Sequence, residues 1–154
     1  MSSPYFNFFN VNHAKVITGF GQTIIKFLAN NTNEYLQNHY TKKFNVSPLK
    51  STPCVLIDTD SNYYSVKELF ELFGDGKSFL NYAMDLDKNV LEPLFKKMLD
   101  VFCQKYNIEN RIKFVRDKIA DCMFITEKKK YAIRMLAKEH KIYDKPKISI
   151  TRNE

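Results

Sequence analysis

Asp58 and Asp60 flank Thr59 and precede Ser61, in a polar tetrapeptide between the apolar run Cys54-Val55-Leu56-Ile57 and the segment Asn62-Tyr63-Tyr64-Ser65-Val66. Two short β-prone runs around turn residues predict a hairpin, with strands at 54–58 and 62–66. Its tip would carry two carboxylates. Hard cations such as Mg²⁺ take oxygen ligands and are commonly held by one or two carboxylates plus substrate phosphates, which makes nucleotide chemistry the natural use of such a turn. Residues two apart in extended chain can point the same way, so Asp58 and Asp60 can converge on one site. The competing explanation is an ordinary Asp-rich turn whose side chains bond their own backbone. An EF-hand loop is excluded by spacing: Asp58, Asp60 and Asn62 fit positions 1, 3 and 5, but Tyr63 stands where glycine is required and Leu69 where glutamate is required.

A second candidate lies further on, at Lys128-Lys129-Lys130-Tyr131. Residues 1–110 hold 11 Lys/Arg against 11 Asp/Glu, whereas 111–154 hold 13 against 6, so the net charge of +7 resides in the last third. That asymmetry favours a polyanionic partner for the C-terminal strands. A lysine-rich solvated strand edge is the plain alternative. Cys54, Cys103 and Cys122 are odd in number, widely spaced and set in apolar runs, which reads as core thiols in a reducing cytoplasm rather than a disulfide framework or zinc site. His13, His39 and His140 are isolated and suit surface or cap roles. No apolar stretch reaches the roughly 18 residues that span a bilayer, and the N-terminus has no basic segment leading into an apolar one. A soluble cytoplasmic protein with no membrane partner is expected.

The elements that must position these residues follow from patterning. At 154 residues the chain is the size of one domain. Residues 1–11 read as extended, with Pro4 resisting an early helix. From Asn12 as N-cap, Val16, Ile17, Phe20, Ile24, Phe27 and Leu28 recur at helical spacing and predict a core-facing helix, with Leu36 extending the stripe toward residue 38. Gly19 and Gly21 inside it each cost about 1 kcal/mol relative to alanine, which suggests close packing against a neighbouring backbone. A polar connector runs from Thr41 to Thr52. After the hairpin come a short helix at 66–73, stopped by Gly74-Asp75-Gly76, a short segment at 78–84, and a longer amphipathic helix bearing Val90, Leu91, Leu94, Phe95, Met98, Leu99 and Phe102, with Pro93 in its first turn. Beyond Asn107 the β-prone runs are 111–117, 122–126, 129–136 and 147–151, with Glu127-Lys128 turning a hairpin. This order predicts an α+β fold with helices on one face of an antiparallel sheet.

Cys54 to Tyr64 resembles the DTDS palm motif of family B DNA polymerases, in particular the replicative enzymes of tailed bacteriophages. Four further segments resemble that family in the family's order. Ser3 to Val11 with Ile17-Thr18-Gly19-Phe20-Gly21-Gln22 is similar to the stretch between the nucleotide-binding helix and the palm helix. Leu91-Glu92-Pro93-Leu94-Phe95 is similar to the helix after the DTDS hairpin, Arg116-Asp117-Lys118-Ile119 to an acidic strand, and Lys128-Lys129-Lys130-Tyr131-Ala132 to the KKRYA strand. An ordered set over nearly the whole chain is far more specific than DTDS alone. The resemblance implies a partial polymerase palm, residues 1–154, divided into a helix and connector (1–53), the DTDS hairpin (54–66), helices (67–106) and a basic β-rich segment (107–154).

It also implies roles. Asp60 matches the second acid of the motif and would be a bridging ligand in a two-Mg²⁺ site for nucleotidyl transfer from a deoxynucleoside triphosphate to a primer; Asp58 would be a less direct ligand. Thr59 and Ser61 would orient the turn through local hydrogen bonds. Asp117 stands where the family usually has glutamate; its shorter reach leaves either a supporting acidic role or an ion pair with Arg116 or a nearby lysine. Lys130 replaces the family's arginine, keeping charge but losing the bidentate fork. Lys128, Lys129, Lys130 and Tyr131 would face the minor groove of primer–template DNA, with Lys129 and Tyr131 on one strand face. Such contacts test duplex shape, not sequence.

The family's upstream DxxSLYPS and KxxxNSxYG patterns are not found in this sequence. The resemblance therefore implies that the chain alone does not synthesise DNA and that complementary polymerase polypeptides supply the other metal carboxylate and the nucleotide grip. The alternatives are a catalytically inactive polymerase remnant and a stand-alone basic nucleic-acid-binding module with inert acids.

Overall fold

Apolar residues at three- and four-residue intervals wind the first part of the chain into a helix, α1 (Val11–Glu34), seen in a computed structural model that describes residues 11–127 and 129–151. The segment 1–10, expected to be extended, lies outside the described residues, as does Lys128. The helix widens into a π-helical stretch at Tyr35–Tyr40 and closes with a single turn, α2 (Thr41–Lys43). Its second half carries a core: Ile24, Ile25, Leu28, Ala29 and Leu36 are buried, with Leu49 of the connector.

Three expectations about α1 need correction. Val16, Ile17 and Phe20 do not face a core in this chain; they are 69%, 57% and 38% exposed. Gly19 and Gly21 do not pack against another backbone, since a Cβ at either would meet nothing within 4 Å. Val11 is already helical, so Asn12 lies within the helix instead of ahead of it as its cap.

Residues 1–64 and 65–154 form two compact units. In the first, β1 (Cys54–Asp58) and β2 (Ser61–Tyr64) pair antiparallel as a two-stranded sheet, close to the predicted ranges, and both strands lie against α1.

In the second unit, α3 (Lys67–Phe73) ends at Gly74, where a Cβ would collide with the Phe70 ring and carbonyl. Ser78 caps α4 (Phe79–Leu86), its hydroxyl accepting from the Asn81 amide at 3.3 Å. A π-helical turn, Asp87–Leu91, joins α4 to α5 (Glu92–Lys105), which carries Pro93 in its first turn and buries Phe95, Leu99, Phe102 and Cys103. Asn107, in the left-handed region at φ 52°, turns the chain out of the helix.

The predicted strand at 111–117 is absent. This stretch alternates in exposure like a strand but has no ladder partner among the described residues; Phe114 stacks edge-on against Phe95 at 4.9 Å, and Arg116 reaches Asp87. The sheet proper is β3 (Lys118–Glu127), β4 (Lys130–Lys138) and β5 (Lys141–Thr151), antiparallel in that order, with α4 against β3. β3 starts earlier than its apolar run, and β5 extends back through Lys141–Pro146, a charged stretch that as an edge strand tolerates Pro146. Helices with two antiparallel sheets make the fold α+β, as expected.

Candidate metal turn and basic sheet

Asp58 is the last residue of β1 and pairs with Ser61 across a two-residue turn, Thr59-Asp60. Among the described residues, positive φ outside glycine is confined to Asn45, Asn107, Lys129 and Glu139, so this turn belongs to neither primed type. Asp58 lies half-buried on the strand face shared with Cys54 and Leu56, while Val55, Ile57 and Asp60 are exposed. Asp60 is in the turn itself, so strand alternation does not reach it and cannot be what aims the two acids together.

Thr59 and Ser61 do bond these acids locally. The Thr59 amide donates to Asp58 Oδ1 at 2.8 Å and its hydroxyl lies 3.4 Å from the same oxygen; the Ser61 hydroxyl donates to Asp60 Oδ1 at 3.3 Å. These bonds tie Oδ1 of each acid to its own turn. Among the described residues no cluster of three or more His, Cys, Asp or Glu side chains is positioned to hold a metal. The turn thus fits Mg²⁺ only as a partial donor set, the kind completed by phosphates or other carboxylates.

What holds the turn in place was not legible from the motif. The Asn62 amide nitrogen donates to the Ile25 carbonyl at 3.1 Å and lies 3.1 Å from the Tyr64 hydroxyl, which is also hydrogen-bonded to the Thr32 side chain. The Cys54 amide donates to Asn33 Oδ1 at 2.7 Å. Thr32 and Asn33 are poor interior helix residues because their side chains compete for backbone bonds, and that was the available clue. Burial pushes the Tyr64 phenol up to about 12, against smaller opposing effects of its Thr32 and Asn62 bonds. Burial likewise raises the Cys54 thiol, whose sulfur sits 3.7 Å from the Leu56 carbonyl, an inert arrangement. Cys103 is buried as expected for a core thiol, whereas Cys122 is exposed, contrary to expectation.

In the basic sheet, Glu127 pairs with Lys130, and Lys129 occupies the turn at φ 64°. Lys130 forms an ion pair with Glu127 at 2.8 Å. Tyr131 begins the inward row Tyr131, Ile133, Met135 and Ala137, and is only 8% exposed. The expectation that Lys129 and Tyr131 share an open face is therefore wrong for this chain: one is outside the strand and the other points into the core. The open face presents Phe124, Ile148 and Ile150 around Arg134, whose Nε and Nη2 donate to Asp121 Oδ1 and Oδ2 at 2.8 and 2.9 Å. That bond holds the Asp121 carboxyl below its ordinary value, with desolvation opposing.

Asp117 is exposed and pairs with Lys118 at 3.3 Å, not with Arg116. Arg116 is engaged by Asp87 at 2.9 Å in a mostly buried pair; burial raises the Asp87 carboxyl despite the guanidinium. His39 stacks on Tyr35, with ring centroids 6.2 Å apart.

A DNA-directed DNA polymerase of Escherichia phage RB69 is 28% identical over 165 residues, an alignment that takes in 97% of this chain and 18% of that polymerase. This chain is similar to one stretch of a DNA polymerase. It spans less than a fifth of that relative's length, 18%. No family model matches the chain. Among the described residues no helix is long and apolar enough to cross a membrane.

Proposed function

We propose that this chain is a palm fragment or split subunit of a family B DNA polymerase, contributing a metal-binding turn and primer–template contacts to nucleotidyl transfer. The observation that carries the reading is the similarity to a phage polymerase along 97% of the chain. The acid turn supports it, because a hairpin tip is where two carboxylates can meet a phosphate-bound cation. Asp60 is the principal ligand and Asp58 the secondary one, with Thr59 and Ser61 holding their oxygens. Bound Mg²⁺ would neutralise charge on the attacking and leaving oxygens of the transferred phosphoryl group. Asp117 has no metal role in this reading; its carboxylate is spent on Lys118.

The DNA contact is assigned to Lys128, Lys129 and Lys130, with Tyr131 a buried core residue at the start of β4. Complementary polymerase polypeptides, primer–template DNA and a deoxynucleoside triphosphate complete the assembly. The self-bonded acids favour one competing reading, an inert turn on a basic DNA-binding module. Primer extension with Mg²⁺ decides between them, using this chain, the polypeptides encoding the remainder of a phage polymerase, and their mixture. Activity confined to the mixture and lost with Asp60→Ala is the expected result. An inactive mixture in which the chain still binds duplex DNA selects the inert module.

A further inference from the structure

The hairpin that carries Asp58 and Asp60 has few means of holding its own direction. A two-stranded hairpin is marginally stable by itself. Its turn lacks the primed geometry that matches strand twist, and Val55 and Ile57 on its outer face are exposed. Its inner face is instead tied to α1 by side-chain bonds. One such tie is at Asn62, one step from the turn, since Ile57 pairs with Asn62 and Asp58 with Ser61. From Asn62 the bonds run to the Ile25 carbonyl on one side and through the Tyr64 hydroxyl to Thr32 on the other.

Thr32 is fully buried, so its hydroxyl serves no solvent-facing purpose. The Asn62 Oδ1 atom is buried and accepts no hydrogen bond from the described residues. A buried unmade hydrogen bond is a stability cost, and an apolar residue on this strand would avoid it. An amide kept at that cost, next to the acid turn and bonded to a helix carbonyl, is explained by orientation.

We propose that Asn62, Tyr64 and Thr32 form a polar latch that sets the acid turn on α1, making them positioning residues for a divalent cation held by Asp58 and Asp60. This rests on the metal-turn reading given above. Groups hydrogen-bonded directly to metal ligands typically alter metal affinity by about 10–100-fold when removed, and a tie one residue from the turn is expected at the low end of that range.

The test uses the full ¹⁵N-labelled chain with Mn²⁺ as probe, following paramagnetic broadening and order parameters at the Thr59, Asp60 and Ser61 amides. Thr32→Val and Asn62→Val are expected to weaken Mn²⁺ binding at the turn about tenfold and to lower its order parameters from the rigid range, about 0.85, toward the flexible range below about 0.6. Thr32→Ser, which keeps the hydroxyl, should restore both. Ile24→Val, a core change outside the latch, should lower the melting temperature without moving Mn²⁺ affinity. If either valine variant fails to fold, Tyr64→Phe keeps the ring and is read the same way. Unchanged affinity and order parameters in the latch variants would overturn the proposal. Failure of the metal reading looks different: Mn²⁺ then fails to broaden the wild-type turn selectively, or broadens it equally in Asp60→Asn. In that case the order parameters alone decide the latch.

Discussion

The Asn62 side-chain amide and the Ile25 main-chain oxygen, 37 positions apart in sequence, meet at 3.1 Å and join β2 to a buried turn of α1. The same amide lies 3.1 Å from the Tyr64 hydroxyl, so the polar ties of the hairpin share one small, mostly dry region. Its chemistry has consequences for pH dependence.

Tyr64 ionises at about 12 when folded, against 10.0 for the free side chain. Below pH 10 the phenol is neutral in both states and contributes its full stability. Between pH 10 and 12 the unfolded phenol ionises first, and stability falls by an amount on the order of 2–3 kcal/mol, at about 1.4 kcal/mol per unit. Urea unfolding from pH 9 to 12 should show this loss, and Tyr64→Phe should remove it.

Gly19→Ala and Gly21→Ala should each stabilise the chain. A Cβ at either position meets nothing within 4 Å, and both lie within α1. The helix-propensity gain of about 0.8–1 kcal/mol is then unopposed. Thermal melts of the single and double variants check this; a lowered melting temperature would overturn the expectation.

Tyr131 and Lys129 should separate cleanly under mutation. Tyr131→Ala removes a buried ring and should cost about 3–5 kcal/mol, the usual range for a large aromatic. Lys129→Gly relieves a side chain at φ 64° and should leave the fold intact or slightly stabilised. If the β3–β4 turn meets DNA phosphates, the glycine variant also loses affinity and reduces the salt dependence of duplex binding by about one charge. Fluorescence anisotropy across a salt series measures it.

Asp121 and Arg134 predict an acid-side effect. The Asp121 carboxyl is held below its ordinary value of 3.8, chiefly by its hydrogen bond to Arg134. Its stabilising contribution is therefore present above about pH 3.8, the unfolded value, and disappears as pH falls through the lower folded value. The melting-temperature gap between wild type and Asp121→Asn should be open at pH 6 and close toward pH 2. A gap that stays constant across that range would show the ion pair to be without thermodynamic effect, as many exposed pairs are.

Local patterning made much of the fold legible. The helical period places α1 and α5, alternation and turn residues place β1 and β2, and β-prone runs locate the β3–β4–β5 region to within a few residues at most ends. The acid turn was legible for the same reason, because a short hairpin is specified by adjacent residues. The run 111–117 shows where that logic stops: its β-prone residues alternate in exposure, but a strand requires a partner backbone, and Phe114 and Arg116 are held by α5 and Asp87 instead. Val16, Ile17 and Phe20 continue a helical apolar stripe, yet a stripe specifies a face and not what covers it.

Asp58, Asp60 and the lysines at the β3–β4 turn were thus determined by sequence alone as residue types in a local geometry. Tertiary structure decided their surroundings: that Tyr131 turns into the core, that Arg116 answers Asp87 and leaves Asp117 to Lys118, and that Asn62, Tyr64 and Thr32 are hydrogen-bonded beside the acid turn. The physical reason is range. Propensity and periodicity act over a few residues, whereas burial and side-chain hydrogen bonds depend on which distant segments the folded chain brings within about 3 Å.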